Sequence, residues 1–181
     1  WATLTLAPPA GPLTARSSQT AIRVPAMPQI RVFIENEAGS DLKHHHDETR
    51  FVVTQVERLQ AAYPYPYGFV PGTLAPDGDA VDCFVITPRP LHTGEFVAAE
   101  VAGLMEQTDG GGGNHNVVVT LSGDPDPDWP AVHEELARFI VEVFRGLPGR
   151  ESTAGRLLGA GGPLADLEGG TPPADARGGA F

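Results

Sequence analysis

Asp77, Asp79 and Asp82 fall within the run Asp77-Gly78-Asp79-Ala80-Val81-Asp82. Carboxylates crowded this closely repel one another unless cations lie between them, and an all-oxygen donor set suits hard divalent ions such as Mg²⁺ or Mn²⁺. The same composition also makes a solvated Asx turn, so these residues alone leave both readings open. Upstream stands Tyr63-Pro64-Tyr65-Pro66-Tyr67-Gly68-Phe69-Val70-Pro71, whose alternating prolines describe a rigid extended segment setting its rings against a core. The tract Lys43-His44-His45-His46-Asp47 could bind a transition metal. Successive side chains of an extended segment point to opposite faces, however, so neighbouring histidines rarely converge on one ion. Gly110 to Gly113 lacks the Lys-Ser/Thr ending of a phosphate-cradling loop and reads as a hairpin connection. Cys83 lies in an apolar run and reads as a small core residue.

These groups need elements to position them. Ile30–Glu35 and Phe51–Val56 are β-branched and partly alternating, which predicts two strands, with Asn36–Asp41 as the intervening turn and the strands as neighbours. Cys83–Thr87, Phe96–Leu104 and Asn116–Leu121 continue the pattern, separated by turn residues at 88–94 and 109–113. Short strands joined by such turns predict a closed barrel, because an open parallel sheet would need a helix after each strand. Over Ala131–Arg145, Val132, Leu136, Phe139, Ile140 and Val143 recur at spacings of three and four, which places them on one helical face. Asp128 and Pro130 are start signals, and Gly146 is a stop.

The chain has 181 residues, about one domain's worth. Twelve Lys and Arg against 23 Asp and Glu give 12 − 23 = −11, a negative field that disfavours nucleic acid and anionic membrane as partners. A single cysteine permits no internal disulfide, and no apolar run approaches the roughly 18 residues of a membrane span. The first residues lack the basic-then-apolar pattern of a signal peptide, so a cytoplasmic location is expected. Gly and Pro are plentiful and concentrate with Ala toward both ends. The expected organisation is a flexible segment over 1–28, a folded unit over 29–168 and a flexible tail over 169–181.

The order Tyr-Pro-x-x-Tyr-Gly-Phe-x-Pro, Thr-Leu, Asp-Gly-Asp-x-x-Asp, Thr-Pro-x-Pro-Leu and Gly-x-x-x-x-x-Asp closely resembles the soluble inorganic pyrophosphatases of the small, single-domain bacterial type, family I. Residues 63–109 carry it densely, with weaker similarity over 30–58 and 131–167. The resemblance implies a mainly β, α+β fold: a five-stranded OB-like closed barrel with one long amphipathic helix and a second, shorter one. It implies a homo-oligomer, a hexamer in bacteria, that hydrolyses pyrophosphate to two phosphates with Mg²⁺ or Mn²⁺. Carried over by position, Asp77, Asp82, Asp109 and Glu35 resemble metal ligands, Asp79 the general base, and Lys43, Arg58 and Tyr67 the phosphate-holding side chains.

Several positions depart from the family pattern. Where it places a second metal-binding Asp and a phosphate-binding Lys after Asp109, this chain has Asn114 and Asn116. Asn114 keeps an oxygen ligand without its charge, and Asn116 cannot replace an ammonium. His45 stands where a Glu is expected, and Phe144-Arg145 replaces Tyr-Lys, leaving Arg145 as a phosphate contact. Placing Arg58 requires a short deletion before Tyr67. Two other readings stay open: a pyrophosphatase-like enzyme acting on an organic diphosphate, and a catalytically silent binding module. Against silence, four retained acids have no structural need to repel one another.

Overall fold

The computed structural model describes residues 29–159. The segments expected to be flexible, 1–28 and 169–181, and the end of the expected folded unit, 160–168, lie outside the described residues. In chain order the elements are β1 (Gln29–Asn36), β2 (Leu42–Asp47), β3 (Val52–Arg58), β4 (Tyr67–Val70), β5 (Val81–Ile86), β6 (Phe96–Asp109), β7 (Gly112–Gly113), β8 (Asn116–Thr120), α1 (Trp129–Glu142) and β9 (Ser152–Leu158).

Strands β1, β4, β5, β8 and β6 are hydrogen-bonded in that order, and pairing of β1 with β6 closes them into a ring. All these pairings are antiparallel except β5 with β8. Both β7 and β9 extend the ring from β6, while β2 and β3 form a separate two-stranded sheet. The protein is thus mainly β, as expected. β1 and β3 are not neighbours, contrary to expectation, because β2 occupies the partner edge of β3. α1 is the one helix among the described residues, so the second, shorter helix is not among them. No described helix is long and apolar enough to cross a membrane.

Strand alternation gives the ring two faces. Val32 and Ile34 of β1, Cys83 and Val85 of β5, Ala99 of β6 and Val119 of β8 join one buried cluster. Four strands of a closed ring converge there, so this is its inner face, and Cys83 is the core residue its surroundings predict. Residues one step out of phase, among them Phe33, Glu35, Tyr67, Phe69, Asp82, Phe84 and Asn116, lie on the outer face.

Part of that outer face is covered by α1, whose Val132, Leu136, Phe139 and Ile140 are buried. Burying each such side chain contributes roughly 1.5–3 kcal/mol, enough to fix the helix on the ring. Asp128 caps α1 by accepting from the Ala131 amide at 3.2 Å, and Pro130 sits in the first turn. The helix ends at Glu142, three residues before the expected boundary, and the chain turns away at Gly146 with φ +78°. Gly68 lets β1 and β4 approach: a Cβ there would stand 1.8 Å from the Phe33 carbonyl oxygen.

Candidate active site

Two apolar clusters on the outer face leave a polar gap between them. Phe33, Phe69 and Ala80 pack on one side, with Phe51 against them. Tyr63, Tyr67 and Phe84 pack with α1 on the other. A step of two along a strand keeps the face, so Glu35 follows Phe33, Tyr67 precedes Phe69, and Asp82 precedes Phe84. Three ordinary strands thereby deliver a carboxylate, a phenol and a second carboxylate to one place.

The β2–β3 hairpin folds over this gap because its histidines bind β1. His44 donates its backbone N–H to Asn36 Oδ1 at 2.7 Å, and its Nδ1 lies 3.1 Å from the same oxygen. His46 Nδ1 lies 3.1 Å from Glu35 Oε1. His45 stands 3.5 Å from Glu57. A register shift between His45 and His46 interrupts the alternation, so both of these side chains border one cavity while His44 does not. Glu48, just past β2, accepts the Ala80 amide at 3.0 and 2.8 Å and so ties the hairpin to the aspartate loop. That loop is itself an Asx turn, with Asp77 Oδ1 accepting from the Asp79 amide at 3.2 Å.

The result is a cavity of about 340 Å³ lined by Glu35, Lys43, His45, His46, Glu48, Tyr67, Asp79 and Asp82. A smaller cleft of about 80 Å³ continues from it, sharing Lys43, Tyr67 and Asp82 and adding Tyr63, Gln107, Asp109, Asn114, Asn116, Phe144 and Arg150. Burial pushes the Glu35 carboxyl up to about 8, helped by the neighbouring charge of Asp82. Burial likewise pushes Asp82 up to about 6, although a donor contact from the Tyr67 hydroxyl and the charge of Lys43 pull it back. Burial and the Asp82 charge hold Tyr67 in its neutral, proton-donating form.

Acids held above their normal range by burial and mutual repulsion are what a divalent cation relieves. The Asn116 side chain adds to this: Nδ2 donates to Gln107 Oε1 at 2.9 Å, while the buried Oδ1 has no partner among the described residues. Such an oxygen suits a cation or its water. Among the described residues no three His, Cys, Asp or Glu side chains form a ready cage for one ion. Mg²⁺ does not need one, since it is bound through one or two carboxylates while keeping waters and substrate oxygens. The donor set therefore fits a hard divalent cation.

Of the residues singled out from sequence, Glu35, Lys43, Tyr67, Asp79, Asp82, Asp109 and Asn114 line the two connected spaces. Asp77 lines neither and is exposed on the adjoining loop, although its charge is felt by Asp82. The structure does not bring Arg58 or Arg145 to the cleft. In the β2–β3 register Lys43 faces Glu57 and Leu42 faces Arg58, so Arg58 projects to the other side, where it pairs with Asp41. Arg145, exposed beyond the end of α1, pairs with half-buried Glu142 at 3.2 Å. His46 was singled out only within the histidine tract, and residues not anticipated are Glu48, Glu57 and Arg150. The last two pair at 3.2 and 3.3 Å across 93 positions of sequence, a separation that leaves no local signal.

Carboxylates suited to a divalent cation beside fixed cations suited to an anion make the chemistry of proteins that bind a cation–oxyanion complex. The chain matches the family model described as inorganic pyrophosphatase over residues 32–144. It is 34% identical over 146 residues to the inorganic pyrophosphatase of Synechocystis sp., covering 76% of this chain and 86% of that one. The inorganic pyrophosphatase of Nostoc sp. matches at the same identity and coverage. The crystal structure of inorganic pyrophosphatase from Thermus thermophilus superposes with a TM-score of 0.67 at 26% identity, covering 80% of this chain and 88% of that one. An inorganic pyrophosphatase structure from Coxiella burnetii gives 0.63 at 25% identity, covering 74% and 89%. This chain belongs to the inorganic pyrophosphatase family.

Proposed function

We propose that this protein hydrolyses inorganic pyrophosphate to two phosphates by in-line attack of water, at the cleft beneath the β2–β3 hairpin. The observation that carries the reading is the convergence of Glu35, Asp79 and Asp82 with Lys43 and Tyr67 around one cavity, in a chain of this family. Glu35, Asp77, Asp82, Asp109 and Asn114 are the oxygen donors that would hold divalent ions, Mg²⁺ or in its place Mn²⁺. Such ions, when bound, would lower the pKa of the attacking water and offset charge on the phosphoryl oxygens.

The chain's own groups do the rest. Asp79, an exposed carboxylate on the cavity wall, takes the proton of the attacking water as general base. Lys43 sets an ammonium against phosphoryl oxygens, and Tyr67, held neutral, donates a hydrogen bond to them. The family assignment favours neither an organic diphosphate substrate nor a silent binding module. An OB-like barrel, a homo-oligomeric, hexameric assembly and a cytoplasmic location belong to the same reading. Sedimentation velocity tests the assembly.

The deciding measurement is phosphate release from Mg²⁺-pyrophosphate. The wild type should release phosphate, EDTA should abolish release, and Asp79→Ala should lower the rate by at least about a hundredfold, the scale of a lost general base. A wild type that leaves pyrophosphate intact overturns the reading.

A further inference from the structure

The cleft is short of cations for the anion it is proposed to bind. Glu35, Glu48, Asp79, Asp82 and Asp109 line the two connected spaces, against Lys43 from among the cations expected there. Arg58 and Arg145 are paired elsewhere. Asn116, standing where an ammonium is expected, has a carbonyl oxygen as its free atom and its amide nitrogen committed to Gln107. An oxygen acceptor repels a phosphate, so Asn116 cannot take up the missing role.

We propose that Arg150 is the second phosphate-binding side chain of this cleft. The inference rests on the pyrophosphatase reading above and adds to it a residue for which the sequence carried no motif. Arg150 lies in the turn between α1 and β9, where its amide donates to the Leu147 carbonyl at 3.2 Å. Its guanidinium carbon stands 3.7 Å from the centre of the Phe144 ring, and Lys43 Nζ approaches the same ring at 6.0 Å. Phe144, which lacks the hydroxyl expected at that position, thus serves as the platform beside which both cations are set.

Glu57 fixes the plane of the guanidinium. Arg150 Nη1 donates to Glu57 Oε2 at 3.2 Å and Nη2 to Oε1 at 3.3 Å. That pairing uses two of the five N–H donors of an arginine and leaves three for another acceptor. The side chain retains 39% of its exposure, so an anion entering the cleft can reach it. Lys43 and Glu57 are partners in the β2–β3 register, which places the ammonium and the Glu57-held guanidinium on the same side of the hairpin. A planar fork held by stacking and by one carboxylate is pre-organised for phosphoryl oxygens, which lysine in its place would bind only as a point charge.

A bracing role for the Arg150–Glu57 pair, tying the turn after α1 to β3, makes different predictions. The test compares wild type, Arg150→Ala, Arg150→Lys and Glu57→Gln by steady-state hydrolysis of Mg²⁺-pyrophosphate and by calorimetric binding of inorganic phosphate to the Mg²⁺-loaded protein. Arg150→Ala should raise KM and weaken phosphate binding by about tenfold or more, with kcat less affected, and Arg150→Lys should recover part of the loss. Glu57→Gln, which breaks the ion pair but leaves the guanidinium on the Phe144 ring, should weaken phosphate binding by clearly less than Arg150→Ala does. If Glu57→Gln loses as much phosphate affinity as Arg150→Ala, the pair is a brace and the proposal falls. It falls also if Arg150→Ala binds phosphate like the wild type, or if the wild type binds none. A wild type that binds phosphate but does not hydrolyse pyrophosphate overturns the proposed activity alone, and loss of that binding in Arg150→Ala still supports the arginine's role.

Discussion

His46 Nδ1 lies 3.1 Å from Glu35 Oε1, with 2% and 10% of the two side chains exposed. Burial drives the pair toward neutrality from both sides: Glu35 is pushed up to about 8, and His46 is lowered below its ordinary value, helped by the charge of His44. The contact ties the hairpin to the ring and at the same time keeps a proton in a cavity otherwise rich in acid.

The pH dependence of stability follows from these directions. The unfolded chain loses the Glu35 proton near 4.5 and the folded chain near 8, so stability present below the first value is lost as pH rises toward the second. Asp82 acts in the same sense between 3.8 and about 6. His46 acts oppositely, because the unfolded chain takes up its proton first as pH falls through 6.5. Above that value Glu35 dominates. Metal-free protein should lose roughly 2 kcal/mol between pH 6.5 and 8, about 4–8 °C in Tm for a chain of this size. Excess Mg²⁺ should restore Tm at pH 8 by binding the folded state. Thermal melts in EDTA check this, and a Glu35→Gln variant that keeps the full wild-type slope would refute it.

Asn114 lines the smaller cleft together with Asp109. Asn114→Asp should tighten Mg²⁺ binding several-fold, because a carboxylate is the better ligand for a hard cation. Calorimetry with Mg²⁺ decides the matter, and an unchanged affinity would mean that the side chain does not reach the ion.

Lys43 and the two displaced arginines should separate in kinetics. Lys43→Ala removes the ammonium shared by both spaces and should lower kcat/KM by about 10- to 100-fold, the scale of a lost hydrogen bond to a charged group. Arg58→Ala and Arg145→Ala break only exposed ion pairs and should stay within about threefold of wild type. A large loss in Arg58→Ala would show that the hairpin takes another register during turnover.

Of the described glycines, Gly68 has the closest approach to other backbone. A methyl group there meets the β1 backbone, which cannot yield as a side chain would. Gly68→Ala should cost about 3 kcal/mol or more, since overpacking against backbone exceeds the usual range for side chains. Chemical denaturation measures it, and a midpoint equal to wild type would require a wider β1–β4 separation.

How much of this was legible in the sequence depends on the range of the interaction. α1 was readable because its signals are local: the Asp128 cap, Pro130 in the first turn and an apolar stripe every three to four residues. β1, β5 and β8 were readable from β-branched runs. β4 was hidden in a proline-rich tract, and β9 contains Gly155 and Arg156 and owes its extended form to pairing with β6. The pairing of β3 with β2 rather than β1 carries no local signal, because Leu42–Asp47 is a charged, histidine-rich stretch without the apolar alternation of a strand.

The acids and their spacing were legible in the chain alone: Asp77, Asp79, Asp82 and Asp109, placed after Tyr67-Gly68-Phe69, carried the family resemblance. Which cations meet them depends on how distant segments fold together. Strand alternation turned Lys43 inward and Arg58 outward, and the early end of α1 left Arg145 with Glu142. A turn 93 positions from Glu57 brought Arg150 to the cleft. Local patterns record which face a residue takes within its own element. Which faces come together is set by pairing and packing between distant segments, and no single stretch of sequence contains that.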